Sequence, residues 1–214
     1  MQVGPDDADG GLGRKHILRE VDRSLARLQC EYLDLYYMHK PDPGTHLAES
    51  IQAFDDLIQA GKICYWGVSN FTAGQLGELL HACDENGWRR PVAHQPPYSL
   101  LNRDAAEDLL PLCHAERIAV VPYQVLQGGL LTGKYHRGDQ PPPGSRKAEK
   151  PDWVWDLTSE MFDQLDGLEA QAQVQNRTLM EHAIKTVLAQ PAVVSVIIGA
   201  KRIDQLQALI DIVA

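Results

Sequence analysis

The 214-residue sequence has few cysteines and no motif that would bind a metal through them. There is no C-x-x-C pair and no His/Cys cluster with metal-ligand spacing. The wide separation favours free thiols in a reducing compartment, so we expect no metal site and a cytoplasmic protein. The four residues are Cys30, Cys64, Cys83 and Cys113.

A long apolar run and an excess of positive charge are also absent. A membrane-spanning helix needs ~20 consecutive apolar residues, and no such run occurs. The polar, glycine-rich residues 1–15 contain no signal-peptide core. The net charge is −9, with 29 acidic and 20 basic side chains. We therefore expect neither nucleic acid nor membrane as a partner, although a local basic pocket can still bind an anionic cofactor.

Hydrophobic patterning predicts alternating strands and helices. Helical spacing begins at residues 14–28, and apolar runs of strand length follow at residues 32–39, 63–70, 92–98, 118–124 and 193–199. The segments between them read as helices, which indicates a parallel sheet with covered faces. No G-x-G-x-x-G follows a first strand, so a doubly wound nucleotide-binding fold is not favoured. We predict one α/β domain over residues 1–214, a partial (β/α)8 TIM-type barrel with about five parallel strands.

Polar side chains follow the ends of four predicted strands, where a parallel barrel carries its active site. His39 ends the first strand, and its imidazole suits donation to a carbonyl oxygen, although a backbone-bonded structural histidine is equally compatible with that position. Ser69 and Asn70 end the second strand, Gln95 the third and Tyr123 the fourth. Their amide and hydroxyl groups suit a planar carboxamide, and an aromatic ring beside them suits stacking on a flat heterocycle.

Five stretches of the chain resemble the aldo-keto reductase family. They occur in family order and cover nearly the whole chain from about Leu12. This resemblance maps the chain onto strands four to eight of the family barrel, so we expect a truncated member that lacks the first three strands. The stretches are SLARLQCEYLDLYYMHKPDP, AFDDLIQAGKICYWGVSNF, QPPYSLLNR, VPYQVLQGGLLTGKY and VIIGAKRIDQL.

The resemblance implies a role for each matching residue. His39 corresponds to the catalytic histidine that orients the substrate carbonyl, and Tyr123 to the ring that stacks on the nicotinamide. The residues implied to bind the nicotinamide carboxamide are Ser69, Asn70 and Gln95. Those implied to lie along the pyrophosphate are Gly128, Leu130 and Lys134, and those at the adenosine end are Gly199, Ala200, Lys201, Arg202 and Gln205.

Two cations at the adenosine end bear on the choice of cofactor. Lys201 and Arg202 would pair with a 2′-phosphate, which favours NADP over NAD. A solvated helix start is the alternative interpretation. A cationic pair at a helix N-terminus opposes the helix dipole, which makes an anionic ligand there more plausible.

The chain departs from the family pattern where catalysis and cofactor affinity are concerned. The family's catalytic Asp, Tyr and Lys lie on strands that this mapping leaves out, and Gln2 would stand in place of that Lys. Gln124-Val125 replaces a usual Ser-Pro, and Leu209 replaces a frequent asparagine. We expect an NADP(H)-dependent oxidoreductase for a small carbonyl or alcohol substrate, with impaired catalysis and weak cofactor binding. The alternative is a non-reductase that uses His39 for other acid–base chemistry, or that serves in binding or assembly.

Two further expectations concern the edges of the sheet and a long loop. Five strands cannot close an eight-stranded barrel, so the first and last strands would keep apolar edges. A homodimer that covers these edges is the expected solution, and the alternative is that the N-terminal segment and the proline-rich loop cover them within one chain. The polar, proline-rich residues 136–157, with Trp153 and Trp155, would either shape the substrate pocket or form a mobile, solvated loop.

Overall fold

The computed structural model describes residues 10–213, so Gln2 lies outside the described part of the chain. These residues form two compact units. The first runs to Pro96 and adds residues 111–120, whereas the second contains residues 97–110 and 121–213. In the described range, no helix combines the length and apolar character that crossing a membrane requires.

The first unit is built on a four-stranded parallel sheet with the order β1-β2-β3-β4. The register places Leu35 opposite Tyr65, and Ser69 opposite Gln95. Three helices lie between or before these strands, and α4 (Leu109–Ala115) contributes its last five residues to this unit. The elements are α1 (Arg14–Leu28), β1 (Leu33–Met38), α2 (Leu47–Gln59), β2 (Ile63–Ser69), α3 (Ala73–Asn86), β3 (Ala93–Gln95) and β4 (Ala119–Val120).

Local sequence signals set the helix ends of the first unit. The Thr72 hydroxyl accepts from the Gln75 N–H at 3.2 Å, and the Gln75 side chain accepts from the Thr72 N–H at 3.0 Å. This reciprocal capping box satisfies two N–H groups that the start of α3 would otherwise leave unpaired. Gly61, with φ of 69°, ends the turn after α2 in the left-handed region that favours glycine.

The core of the first unit centres on an aromatic pair between α2 and β2. The rings of Phe54 and Trp66 lie 5.3 Å apart between centroids, and both side chains are fully buried. The Trp66 indole N–H donates to the Arg89 carbonyl at 3.0 Å, so its polar atom is satisfied. The Asp55 carboxylate accepts from the Arg89 backbone N–H at 3.1 Å and from its guanidinium at 2.8 Å, which fixes the segment between α3 and β3.

The second unit is mostly helical. Its helices are α5 (Arg146–Glu149), α6 (Ser159–Val174), α7 (Leu179–Leu188) and α8 (Ile203–Val213), and a 3-10 segment covers Gln127–Thr132. One apolar cluster joins the 3-10 segment, the loop before α6, and helices α6 and α7. Its buried members are Leu100, Leu130, Leu131, Tyr135, Val154, Phe162, Leu165, Leu179 and Ala183.

The structure confirms the helix at residues 14–28, four of the predicted strands and the four free thiols. The third and fourth strands are much shorter than predicted, because Pro96 and Pro122 have no N–H to donate to a ladder. The predicted strand at residues 193–199 is wrong. The described residues show no strand there, and the Ile197 N–H donates to the Pro122 carbonyl at 2.9 Å without the ladder that a strand needs.

Gly67 marks the closest approach inside the sheet. A Cβ at this position would lie 2.7 Å from the Ala93 carbonyl oxygen and 2.7 Å from the Tyr37 ring. We expect Gly67→Ala to lower the free energy of unfolding by ~1–3 kcal/mol, since a strand carbonyl cannot move aside without breaking its ladder. Urea unfolding measures this loss.

Gly77 provides the matched control. It lies within α3, and a Cβ there would meet no atom within 4 Å. Gly77→Ala should therefore raise the free energy of unfolding by ~0.5–1 kcal/mol. A Gly67→Ala protein as stable as the unsubstituted chain would contradict the close packing of β2 on β3.

Candidate functional site

The carboxyl ends of β1, β2 and β3 bring four predicted site residues together. The Ser69 hydroxyl donates to the Gln95 carbonyl at 2.7 Å. The Asn70 side-chain amide donates to the Ser69 hydroxyl at 3.1 Å and to the His39 carbonyl at 2.8 Å. A continuous hydrogen-bonded chain therefore links the ends of three neighbouring strands.

Ser69 links the other members of this hydrogen-bonded series. Its side chain is buried, and its only hydrogen is directed at a backbone carbonyl. The half-buried amides of Asn70 and Gln95 are the groups with the chemistry to match a planar carboxamide. Asn70 has φ of 62°, in the left-handed region that asparagine tolerates better than most side chains. Gln95 also hydrogen-bonds the Tyr37 side chain.

His39 lies one residue beyond β1 and is exposed. Partial loss of hydration, with a smaller contribution from the Lys40 charge, holds the pKa of its imidazole below the usual range. At neutral pH the ring is therefore mainly neutral and carries one N–H donor and one acceptor nitrogen. Such a ring can donate a hydrogen bond to a carbonyl oxygen.

His94 supports this end of the sheet, and the sequence analysis missed it. Its side chain is fully buried, and Nε2 lies 3.1 Å from the Phe71 carbonyl. Because a carbonyl only accepts, Nε2 carries the proton of the neutral ring. Burial lowers the pKa of His94 to about 4. The contact ties β3 to the turn that presents Asn70. The sequence feature that could have indicated this role is a histidine next to Gln95 in an otherwise apolar strand.

The second unit contains a cavity of about 680 Å³, a size typical of cofactor and ligand sites. Six of the predicted cofactor residues line it: Tyr123, Gly128, Lys134, Gly199, Lys201 and Gln205. The other three predicted cofactor residues of this unit do not line it. Leu130 is buried in the apolar cluster, and Ala200 and Arg202 are exposed beside the start of α8. The departures Gln124, Val125 and Leu209 also line the cavity.

Glycines let one wall of this cavity turn tightly. Gly128 and Gly129 have φ of 66° and 102°. A Cβ on Gly128 would lie 2.9 Å from a Val154 methyl group, and one on Gly129 would lie 2.8 Å from the Lys134 ammonium. A side chain at either position would therefore displace the backbone or the cation that lines the cavity.

Cations outnumber carboxylates on the cavity wall. Lys134, Arg146 and Lys201 line it, whereas Asp204 is the only acidic residue in the described lining. The Lys201 ammonium donates to the Gly144 carbonyl at 3.2 Å and also pairs with the Glu149 carboxylate.

The other cation that was predicted to bind a 2′-phosphate, Arg202, already has a carboxylate partner. Arg202 forms a two-point ion pair with Asp204, with N–O distances of 2.9 and 2.8 Å. This pair holds the pKa of the Asp204 carboxyl below its usual range. Both predicted 2′-phosphate ligands therefore have carboxylate partners within the chain.

The proline-rich segment contributes to the cavity wall. Trp153 was named in the prediction that this segment shapes a pocket, whereas Gly144 and Arg146 were not. Gly144, Arg146 and Trp153 lie on the wall of this cavity. The Arg146 guanidinium lies 6.0 Å from the centre of the Trp153 ring, and the Lys150 ammonium lies 4.9 Å from it. The proline- and charge-rich composition predicted a loop, with a wall of the substrate pocket and a solvated surface as the two alternatives, but nothing in it singled out Gly144 or Arg146. The described residues contain no group of three or more His, Cys, Asp or Glu side chains placed to hold a metal ion.

Comparison with known proteins identifies the family. The sequence profile of the Aldo/keto reductase family matches residues 3–214. The chain belongs to this family. Its structure is similar to that of a glycerol dehydrogenase from Gluconobacter oxydans, with a TM-score of 0.73 and 28% sequence identity. The match covers 99% of this chain and 69% of the glycerol dehydrogenase chain. This similarity to a solved aldo/keto reductase confirms the predicted fold class, an α/β fold of parallel strands with surrounding helices that corresponds to part of a barrel.

Curated aldo/keto reductase relatives carry two kinds of description. The chain is 34% identical over 207 residues to a probable voltage-gated potassium channel subunit beta from Arabidopsis thaliana, covering 95% of this chain and 63% of that protein. It is 32% identical over 210 residues to L-glyceraldehyde 3-phosphate reductase from Escherichia coli, covering 95% and 60%. The chain thus spans about six-tenths of the length of the curated relatives that it matches.

The buried His94 predicts how the stability of this aldo/keto reductase depends on pH. Its pKa is lower in the folded chain than in the unfolded chain, so below about pH 6.5 the unfolded state binds the extra proton. Stability is fully present above that pH and falls as the pH drops towards 4, by roughly 3 kcal/mol from this group. We expect His94→Gln, which keeps a donor for the Phe71 carbonyl, to lose less stability over this range. Urea unfolding at several pH values measures the difference.

His81 is the control, because its side chain on α3 is exposed. His81→Gln should leave the acid limb of the stability profile unchanged. The carboxyl groups of Glu20 and Asp55 have lowered pKa values in the folded chain. Their contributions to folding stability are lost only as the pH falls through the carboxyl range, which lies below the pH range in which the loss due to His94 begins. Identical acid limbs for the wild-type chain and His94→Gln would refute the prediction.

Proposed function

We propose that this aldo/keto reductase chain forms the cofactor site of an oxidoreductase that transfers a hydride between NADP(H) and a small carbonyl or alcohol. The cavity of the second unit is the observation that carries the proposal. It has the volume of a cofactor site, a glycine-rich wall and three cationic side chains. Phosphate groups of a dinucleotide match cations and close backbone approach of this kind.

The residues present fit the cofactor by their chemistry. The proposal assigns the pyrophosphate to Gly128 and Lys134, with Arg146 as an additional cation. Lys201 and Gln205, at the start of α8, are assigned to the adenosine end. The Gln205 side-chain oxygen accepts from the Lys201 backbone N–H at 2.9 Å, which fixes the turn between them.

The nicotinamide end is assigned by matching residues to the family. Tyr123 provides the ring, and the amides of Asn70 and Gln95 provide the donors and acceptors for the carboxamide. Ser69 holds these two residues in place, because its hydroxyl donates to the Gln95 backbone carbonyl and accepts from the Asn70 side-chain amide. When bound, the cofactor supplies the hydride.

Ion pairs within the chain support weak rather than tight binding. A 2′-phosphate would have to compete with Glu149 for Lys201, and with Asp204 for Arg202. Leu209 adds an apolar side chain to the cavity wall where the family often has a hydrogen-bonding asparagine. The proposed preference for NADP therefore rests on cations whose charge is already partly compensated.

Proton transfer during carbonyl reduction is assigned to His39. Its neutral imidazole can donate to the carbonyl oxygen and so polarise it for hydride attack. A second general acid placed beside the carbonyl would raise the rate roughly 10²–10⁴-fold. No such acid is assigned at the strand ends described above. We therefore propose slow reduction by the 214-residue chain on its own.

A binding role is the second candidate, since relatives of similar identity include both reductases and potassium channel beta subunits. Turnover distinguishes the two candidates, because a binding role requires none.

The four free thiols support the proposed cytoplasmic location, where a reducing environment keeps cysteines unpaired.

Titration with NADPH tests the proposed site. Following NADPH fluorescence, we expect a dissociation constant above about 1 μM for the 214-residue chain. Lys201→Met combined with Arg202→Met should weaken NADPH binding by about tenfold and leave NADH binding nearly unchanged, because only NADPH carries the 2′-phosphate. Lys185→Met removes one charge from the exposed face of α7 and should change neither affinity.

Two outcomes would contradict the proposal. Submicromolar binding by the unsubstituted chain would contradict weak affinity, and equal losses for NADPH and NADH would contradict the 2′-phosphate assignment. Oxidation of NADPH by an activated aldehyde tests the chemistry. Rapid turnover that survives His39→Ala would show that other groups carry the proton transfer.

We also propose a homodimer that covers the β1 edge. In the described sheet β1 has a neighbour on one side only, and the register pair Leu35 and Tyr65 is 37% and 57% exposed. An exposed apolar edge favours pairing with another chain. We expect Leu35→Lys to shift the protein from dimer to monomer at micromolar concentration, measured by sedimentation. Val174→Lys is the control, since Val174 is an exposed apolar residue at the end of α6. A soluble monomer of the unsubstituted chain would refute the proposal.

A further inference from the structure

Residues 144–157, termed here the lining segment, form part of the cavity wall although much of the segment is exposed. Gly144, Arg146 and Trp153 line the cavity, and the side chains of Arg146 and Trp153 are largely exposed to solvent. Exposed side chains on a short segment do not hold their own positions, because water competes for their contacts. Some other group in the segment must fix its path.

The contacts of Lys147 show that it fixes the path of the segment. Its ammonium donates to the Val154 carbonyl at 3.0 Å, to the Pro151 carbonyl at 3.3 Å and to the Asp156 carboxylate at 2.9 Å. Its side chain is only 13% exposed, although lysine is usually solvated. Three acceptors match the three N–H donors of an ammonium, and charge-assisted hydrogen bonds are stronger than neutral ones. One side chain thus closes the backbone from residue 147 to residue 156 into a loop.

The loop closed by Lys147 is anchored to the glycine-rich wall of the cavity. Val154 is buried in the apolar cluster together with Leu130 and Tyr135. A Cβ on Gly128 would lie 2.9 Å from the Val154 side chain and 3.3 Å from the Trp153 carbonyl, so only glycine admits the segment at this distance. The Lys147 backbone N–H also donates to the Tyr135 hydroxyl, at 3.4 Å. These contacts connect the lining segment to the wall that the proposed pyrophosphate site uses.

We propose that Lys147 is a positioning residue for the cofactor site, and that it acts by holding Arg146 and Trp153 against the cavity. Arg146 and Lys147 are neighbours in α5, and Trp153 lies between the two carbonyl groups that Lys147 binds. Loss of the ammonium would release both lining side chains together. The inference rests on the proposed function, in that the ligand positioned is the dinucleotide.

Hydrogen exchange of the full chain without cofactor tests the structural part. We expect Lys147→Met to speed exchange in peptides covering residues 147–157 by about fivefold or more, and to leave peptides from β1 and β2 unchanged. Lys147→Arg keeps the charge and several donors and should restore most of the protection. Lys185→Met, which removes the same charge elsewhere in the second unit, should have no effect. Exchange in Lys147→Met equal to that in Lys185→Met would overturn the inference.

A double-mutant cycle with NADPH as the probe tests the positioning role. Arg146→Ala and Lys147→Met should each weaken binding by about tenfold, and the double variant should lose much less than the product of the two, since Lys147 acts partly through Arg146. A merely structural destabilisation would give a multiplicative loss, and that result would overturn the inference. If the unsubstituted chain does not bind NADPH, the proposed function fails, and the exchange comparison alone decides whether Lys147 holds the segment.

Discussion

Parallel pairing of β1, β2 and β3 is the constraint on which the first unit depends. Parallel strands direct all their carboxyl ends to the same edge, so residues far apart in sequence become neighbours there. The Ser69–Gln95 register pair turns this proximity into a hydrogen bond, and Asn70 extends it to the His39 carbonyl. A shift of one residue in the register would turn Ser69 to the opposite face of the sheet and break the whole chain of contacts.

Backbone turns, rather than strand pairing, build the cavity of the second unit. Glycines in the left-handed region bring the wall at Gly128 and Gly129 within contact distance of Val154 and Lys134. Gln124 and Gln127 adopt the same region at φ of 58° and 45°, where a side chain other than glycine or asparagine costs free energy. Tight packing around these turns must offset that cost, which explains why the buried cluster is continuous with the cavity wall.

The sequence predicts the fold best where the controlling interaction is local. The apolar spacing of α1 depends on residues within one or two helical turns, and the predicted helix agrees with the structure. The capping box of Thr72 and Gln75 is an equally local interaction. Strand length and pairing depend on distant partners. Residues 193–199 have a strand-like composition but no ladder in the described chain, and composition cannot report a missing partner. The same limit applies to the site, because the path that brings Arg146 to the cavity is set by buried contacts of Lys147 and Val154.

The charge balance of the cavity is compatible with the proposed anion site on an acidic chain that has no excess of positive charge. The cations at the start of α8 are held by Glu149 and Asp204, so each keeps a fixed position in the absence of a ligand. A phosphate that approaches them exchanges one anionic partner for another, and its net gain is the difference between two ion pairs rather than the full strength of one. Lys134 and Arg146 lack carboxylate partners among the described residues, so phosphate attraction there is not reduced by such an exchange. For the proposed cofactor, the binding free energy should therefore come mainly from the proposed pyrophosphate side, whereas the proposed adenosine side contributes selectivity.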